Sequence, residues 1–103
     1  NQTLKSGLEN LAVSHPNIDF FYNDTFSLYN KVINDVKNNG KYRDDKLDIT
    51  ITNVTDSAYD YTTGTVITQP NHNLFWDGLH PTTAMHKIIA KHAADLIQAK
   101  ETL

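Results

Sequence analysis

The sequence predicts an α/β chain, and three observations carry that reading. Apolar residues recur at three- and four-residue spacing in three separate stretches, the period of a half-buried helix. One short run, Ile18-Asp19-Phe20-Phe21-Tyr22, is dense in the aromatic and branched residues that favour strands. Helical stretches lie on either side of that run, and alternation of helix and strand builds sheets covered by helices.

The elements follow in order. Leu4, Leu8, Leu11 and Ala12 recur at helical spacing, and Ser14-His15-Pro16 ends that helix. The strand run comes next, and Asn23-Asp24-Thr25 is a turn and helix-cap cluster. Phe26, Tyr29, Val32, Ile33 and Val36 then form a second helical face. Asn38-Asn39-Gly40 closes it, with Gly40 suited to the left-handed position that follows a helix. From Lys41 to Asn73 the pattern loosens. Leu47, Ile49 and Ile51 alternate with polar residues, which fits a strand or an extended loop, and Thr65 to Thr68 is open in the same way. A loop of that length in a small domain is more often functional than idle. The last element is a helix. Pro81 suits its first turn, where a missing N–H costs nothing. Met85, Ile88, Ile89, Ala93, Leu96 and Ile97 form its apolar stripe, with Lys87, Lys91 and Asp95 off it.

Composition bounds the rest. A chain of 103 residues is at most one small domain. Hydrophobic content of 39% with 20% charged residues fits a globular chain rather than a disordered one. A net charge of −3 and nine scattered basic residues argue against nucleic acid as a partner. The absence of cysteine excludes disulfides and thiolate metal sites. No apolar stretch approaches the roughly 18 residues of a membrane span. One strand cannot make a sheet, and the three helical stripes find too little to bury against. The rest of the sheet is therefore expected upstream, and Asn1-Gln2-Thr3 reads as the inside of a helix rather than a signal peptide. Asn-x-Thr acceptors at Asn1, Asn23 and Asn53 are possible glycosylation sites and, in a eukaryote, point to a secreted glycoprotein.

The chemistry lies in Phe75-Trp76-Asp77-Gly78-Leu79-His80-Pro81-Thr82. It places a carboxylate and an imidazole three residues apart at the mouth of the last helix. A carboxylate that accepts the Nδ1 hydrogen of an imidazole fixes its tautomer, so that Nε2 can take a hydroxyl proton. A tight turn would let both side chains face the same way, and Gly78 is expected to supply unusual dihedrals there. Pro81 biases His80 toward extended backbone and keeps it at the loop–helix junction. By spacing alone, an N-cap aspartate beside a surface histidine is the more usual reading of such a pair.

The wider block settles on one family. Leu74-Phe75-Trp76-Asp77-Gly78-Leu79-His80-Pro81-Thr82, with Ala84, His86 and Ile88-Ile89-Ala90, resembles the terminal block of the GDSL, or SGNH, esterases and lipases. In that family an Asp-x-x-His-Pro-Thr segment opens the last helix and carries the acid and base of the triad. Asn53-Val54-Thr55-Asp56 resembles a loop found in many members, and Leu4 through Phe26 looks like the penultimate helix and strand. The resemblance implies a three-layer α/β/α, flavodoxin-like fold, of which residues 1–103 are the C-terminal part of a single domain. It implies a serine hydrolase acting on carboxylic esters, lipid or acylated carbohydrate, through an acyl-enzyme. Asp77 is then the orienting acid and His80 the general base, no metal or organic cofactor is implied, and family habit favours an extracellular location. The family's Gly-Asp-Ser nucleophile segment and its oxyanion blocks do not occur in these residues. The segment alone is therefore expected to be inactive, because the largest electrostatic contribution is missing.

Other readings compete for the same residues. Ser57, in Thr-Asp-Ser-Ala, mimics the nucleophile segment but lacks its Gly and preceding strand, and Ser6, Ser14 and Ser27 look structural. His72, Asp77, His80 and His86 could in principle bind zinc, but their spacing matches no compact ligand motif. A non-catalytic carbohydrate- or protein-binding module could use Phe20, Phe21, Tyr22, Tyr29, Tyr42, Tyr59, Tyr61, Phe75 and Trp76. Phe20, Tyr22 and Phe26 read more simply as core. Phe75 and Trp76 either pack the loop, the simpler role, or line an acyl pocket. His92 reads as a partly buried helix histidine, and His15 and His72 as surface groups.

Overall fold

The computed structural model describes residues 2–101. Three helices, α1 (Gln2–Ser14), α2 (Thr25–Asn39) and α3 (Thr83–Glu101), bracket six short strands. The strands are β1 (Tyr42–Asp44), β2 (Ile49–Ile51), β3 (Asn53–Ser57), β4 (Tyr59–Asp60), β5 (Thr65–Val66) and β6 (Asn73–Phe75). The chain is thus mixed α and β, and the three helices fall where the apolar period places them.

Local chemistry explains the ends of α2. Asp24 accepts a hydrogen bond from the Ser27 N–H at 3.0 Å, the N-cap geometry. Gly40 sits at φ 82°, where its N–H closes onto the Val36 carbonyl; a side chain there would be strained.

The strand expected at Ile18–Tyr22 does not form as such. That segment joins none of the three strand pairs among the described residues. A strand exists only on a matching ladder, so aromatic and branched composition alone does not make one. Phe20 and Tyr22 instead lie half-buried beside α1, lining a cavity of about 240 Å³ with Leu8 and Ala12. Between residues 41 and 73 the reverse holds, because the loosely patterned segment is built of strands. β1 and β2 form an antiparallel hairpin with Tyr42 opposite Ile51 and Asp44 opposite Ile49. β4 and β5 form a second hairpin. β3 runs parallel to β6, with Asn53 opposite Asn73 and Ser57 opposite Phe75. Four steps on one strand therefore span two on the other, and β3 bulges between them.

The core gathers Val32 from α2, Ile49 and Ile51 from β2, Leu74 from β6, and Ala84, Met85 and Ile88 from α3. Ile49 and Ile51 share a face because strand side chains alternate. The buried carboxylate of Asp44 ties the hairpin to α3 by accepting from Lys91 Nζ at 2.8 Å. That ammonium holds the Asp44 carboxyl below its usual range, and burial opposes the shift. By contrast α1 buries none of its residues, and Leu4 and Leu11 stay exposed. Phe26, expected in the core, is 59% exposed: it shares a helical face with Tyr29 and Ile33 but lies at the end of that face, outside the residues packed against the cluster.

The junction of β6 and α3 corrects one more expectation. Pro81 lies before the helix, and Thr82 is the cap. Thr82 Oγ1 accepts from the Met85 N–H at 3.2 Å and donates to the Asn73 carbonyl at 2.8 Å. Pro81 forms an antiparallel bridge with Phe75. The ladder bonds fall on either side of it, from Trp76 N to the His80 carbonyl and from Thr82 N to the Leu74 carbonyl. A residue without an N–H fits the non-hydrogen-bonded position of such a pair. Thr82→Val keeps the shape of this 1%-exposed residue but removes both side-chain bonds. It is expected to cost roughly 1–3 kcal/mol in a urea unfolding experiment, because two buried backbone groups lose their partner.

Candidate active site

The Phe75–Pro81 bridge closes a loop, and inside it Asp77 makes the turn. Its Oδ1 accepts from the backbone N–H of Leu79 at 2.8 Å and of His80 at 2.7 Å. Gly78 is not the conformational key expected of it. Among the described residues only Gly40 and Gly64 are glycines at positive φ, and a Cβ on Gly78 would meet nothing within 4 Å. The aspartate side chain, hydrogen-bonded to the two following amides, turns the chain without a left-handed residue. The His80 backbone is then held at both ends, its N–H by Asp77 and its carbonyl by Trp76 N.

This geometry brings the two predicted side chains together. His80 Nδ1 lies 2.9 Å from Asp77 Oδ2 and 3.0 Å from Oδ1. The aspartate side chain is 5% exposed and the imidazole 68% exposed. Tyr61 adds a donor from another hairpin, its hydroxyl reaching Asp77 Oδ2 at 2.8 Å. The Leu79 and His80 amides, followed by the Tyr61 hydroxyl, hold the Asp77 carboxyl far below the usual range, and burial opposes them. An ionised carboxylate can only accept, so the imidazole hydrogen sits on Nδ1. The Nε2 lone pair is left to solvent. Among the described residues no serine hydroxyl hydrogen-bonds to His80: Ser14 donates to the Asn10 carbonyl and Ser27 to Asp24, while Ser6 in α1 and Ser57 in β3 are exposed.

The remaining sequence candidates are distributed around this turn. Phe75 stacks on Tyr29 with centroids 6.2 Å apart and packs against the core. Trp76 stacks on Tyr59 at 5.4 Å, and Tyr59 meets Tyr61 edge-on at 4.9 Å. His15, His72 and His86 are exposed, and no three His, Asp or Glu side chains among the described residues gather as metal ligands do. His92 is half-buried and meets Asn23 Oδ1 through Nδ1 at 2.7 Å. Asn53 Oδ1 accepts from the amides of Thr55 and Asp56, and its Nδ2 donates to Asp56 Oδ2 at 3.0 Å, which shapes the β3 bulge. Asn1 lies outside the described residues.

Three contributors to the support of this turn were not tied to it by the sequence reading. Tyr61 is sixteen positions from Asp77, and no local spacing links them. Asn73 is 4% exposed and donates to the Asp56 carbonyl at 2.9 Å, docking the bulge against β6. Thr82 carried a signal, since a threonine before an apolar helical period is a common N-cap.

Two outcomes follow from this geometry. Gly78→Ala is expected to leave stability unchanged or raise it by up to ~1 kcal/mol, because alanine restricts the unfolded chain at a position it tolerates. Thermal melts of the two proteins test this. Asp77→Asn is expected to be less stable than the native protein at neutral pH. A depressed carboxyl contributes stability that is complete above its unfolded value of about 3.9 and fades as pH falls toward the folded one. Urea midpoints of native and variant proteins should therefore converge as pH drops below about 4.

The GDSL-like lipase/acylhydrolase family model matches residues 3–93, from α1 to the middle of α3. None of the curated proteins matches the chain. No helix among the described residues is long and apolar enough to cross a membrane. The chain belongs to the GDSL-like lipase/acylhydrolase family.

Proposed function

We propose that residues 1–103 form the C-terminal part of a three-layer α/β/α SGNH domain that hydrolyses carboxylic esters, with His80 as general base and Asp77 as its orienting acid. The observation that carries this reading is the 2.9 Å contact between His80 Nδ1 and a buried, ionised Asp77, with the imidazole otherwise open to solvent. The nucleophilic serine and the oxyanion donors belong to the preceding part of the same domain. The chain alone is inactive.

The chemistry follows from the tautomer. His80 Nε2 takes the serine hydroxyl proton as the oxygen attacks the ester carbonyl, and the carbonyl π electrons move to its oxygen. The imidazolium that forms is stabilised by Asp77 through Nδ1. When the carbonyl re-forms, the ester C–O bond breaks and Nε2 returns the proton to the departing alkoxide. Water then repeats the sequence on the acyl-enzyme, releasing the acid and the free serine. The substrate is a lipid or an acylated carbohydrate. An extracellular setting with glycosylation at the sequons Asn1, Asn23 and Asn53 belongs to the same proposal and is supported by those triplets.

In the full-length protein, a serine-directed fluorophosphonate is expected to label the enzyme, and His80→Ala is expected to reduce ester turnover by at least about 10²–10⁴-fold. Turnover unaffected by His80→Ala would sink the hydrolase reading and favour a binding module built on the aromatic residues.

A further inference from the structure

Asp77 is oriented from outside its own turn as well as from within it. The Leu79 and His80 amides both bind Oδ1. They fix one oxygen, but rotation of a carboxylate about its last bond is soft and roughly two-fold. The imidazole that meets Oδ2 is 68% exposed and is itself the group to be oriented. The remaining donor to Oδ2 is the Tyr61 hydroxyl, at 2.8 Å.

We propose that Tyr61 is a positioning residue for the Asp77–His80 pair, setting the plane of the carboxylate that holds the imidazole. This inference rests on the acid–base reading of Asp77 and His80 given above. Burial does not explain where Tyr61 sits, because the residue is 73% exposed. The hairpin that carries it is pre-set: Thr62 N bonds Asp60 Oδ1 at 2.8 Å, and Gly64 at φ 70° returns its N–H to the Asp60 carbonyl at 2.7 Å. Behind the ring, Tyr61 meets Tyr59 edge-on and Tyr59 lies flat on Trp76, the residue before Asp77. The tyrosine is thus braced on the same loop whose carboxylate it binds. The bond acts in both directions, since the carboxylate raises the Tyr61 hydroxyl above its ordinary value while the hydroxyl lowers Asp77. During turnover this keeps the proton on the imidazole rather than letting Asp77 remove it from Nδ1.

The test compares Tyr61→Phe and Asp77→Asn with the native full-length enzyme. Phenylalanine keeps the ring against Tyr59 and removes only the hydroxyl. Tyr61→Phe is expected to lower kcat roughly ten-fold with KM unchanged, the scale of one lost hydrogen bond to a charged group. Carbon-13 NMR of the Asp77 carboxyl is expected to show its titration midpoint moving up in the same variant. An unchanged kcat in Tyr61→Phe, with Asp77→Asn inactive, overturns the positioning role and leaves the acid–base reading standing. A lower kcat with an unmoved Asp77 midpoint overturns it too, because the effect would not pass through the carboxylate. Full activity in Asp77→Asn overturns the acid–base reading and this inference with it.

Discussion

Asp77 carries its charge almost out of solvent, and a buried carboxylate is tolerated only where donors replace the water it loses. Two backbone amides, a tyrosine hydroxyl and an imidazole converge on it. The amide bonds shape the turn, so the group that orients His80 also folds the loop that presents it. Chemistry and backbone are therefore coupled in one side chain. A change that neutralises the charge disturbs the position of the imidazole as well as its electrostatics.

That turn is anchored in the best-packed part of the chain. Leu74 lies in the core one residue before the bridge, and Met85 is back in it three residues after the Thr82 cap. Asn73 and Thr82 link the β3 bulge, β6 and the start of α3 through buried hydrogen bonds. Lys91 and Asp44 brace the same helix against the first hairpin. Rigid support of this kind holds the Asp77–His80 pair to a narrow range of geometries. The far end is different: α1 leaves Leu4 and Leu11 exposed and contributes nothing buried. The proposed three-layer domain gives that face a natural place against the rest of its sheet.

Much of the site was legible because its parts are close in the chain. Asp77 and His80 meet within one turn, so a tight turn at their spacing was enough to bring them together, and the aspartate amide bonds rather than Gly78 make that turn. Gly40 was readable as a cap from its position after an apolar period. Pro81 reads as part of the first turn of α3 but precedes the Thr82 cap, because a helix-start proline and a bridge proline look alike without the partner strand. The strand expected at Ile18–Tyr22 failed for a related reason. Its composition suits a ladder, and the described chain supplies that ladder elsewhere, at residues 42–75. Nothing in the local sequence tied Tyr61 to Asp77.

The three helices, the α2 caps and the closeness of Asp77 to His80 follow from local sequence, since each depends on residues within a turn or two of one another. Packing between segments sets which polar stretches pair as strands, which apolar face stays exposed, and which distant hydroxyl completes the carboxylate's shell. Those outcomes depend on hydrogen bonds and burial between separate segments, from the hairpin partners Tyr42 and Ile51 to the distant pairs Tyr61–Asp77 and Asp44–Lys91. Local periodicity carries no information about such pairings.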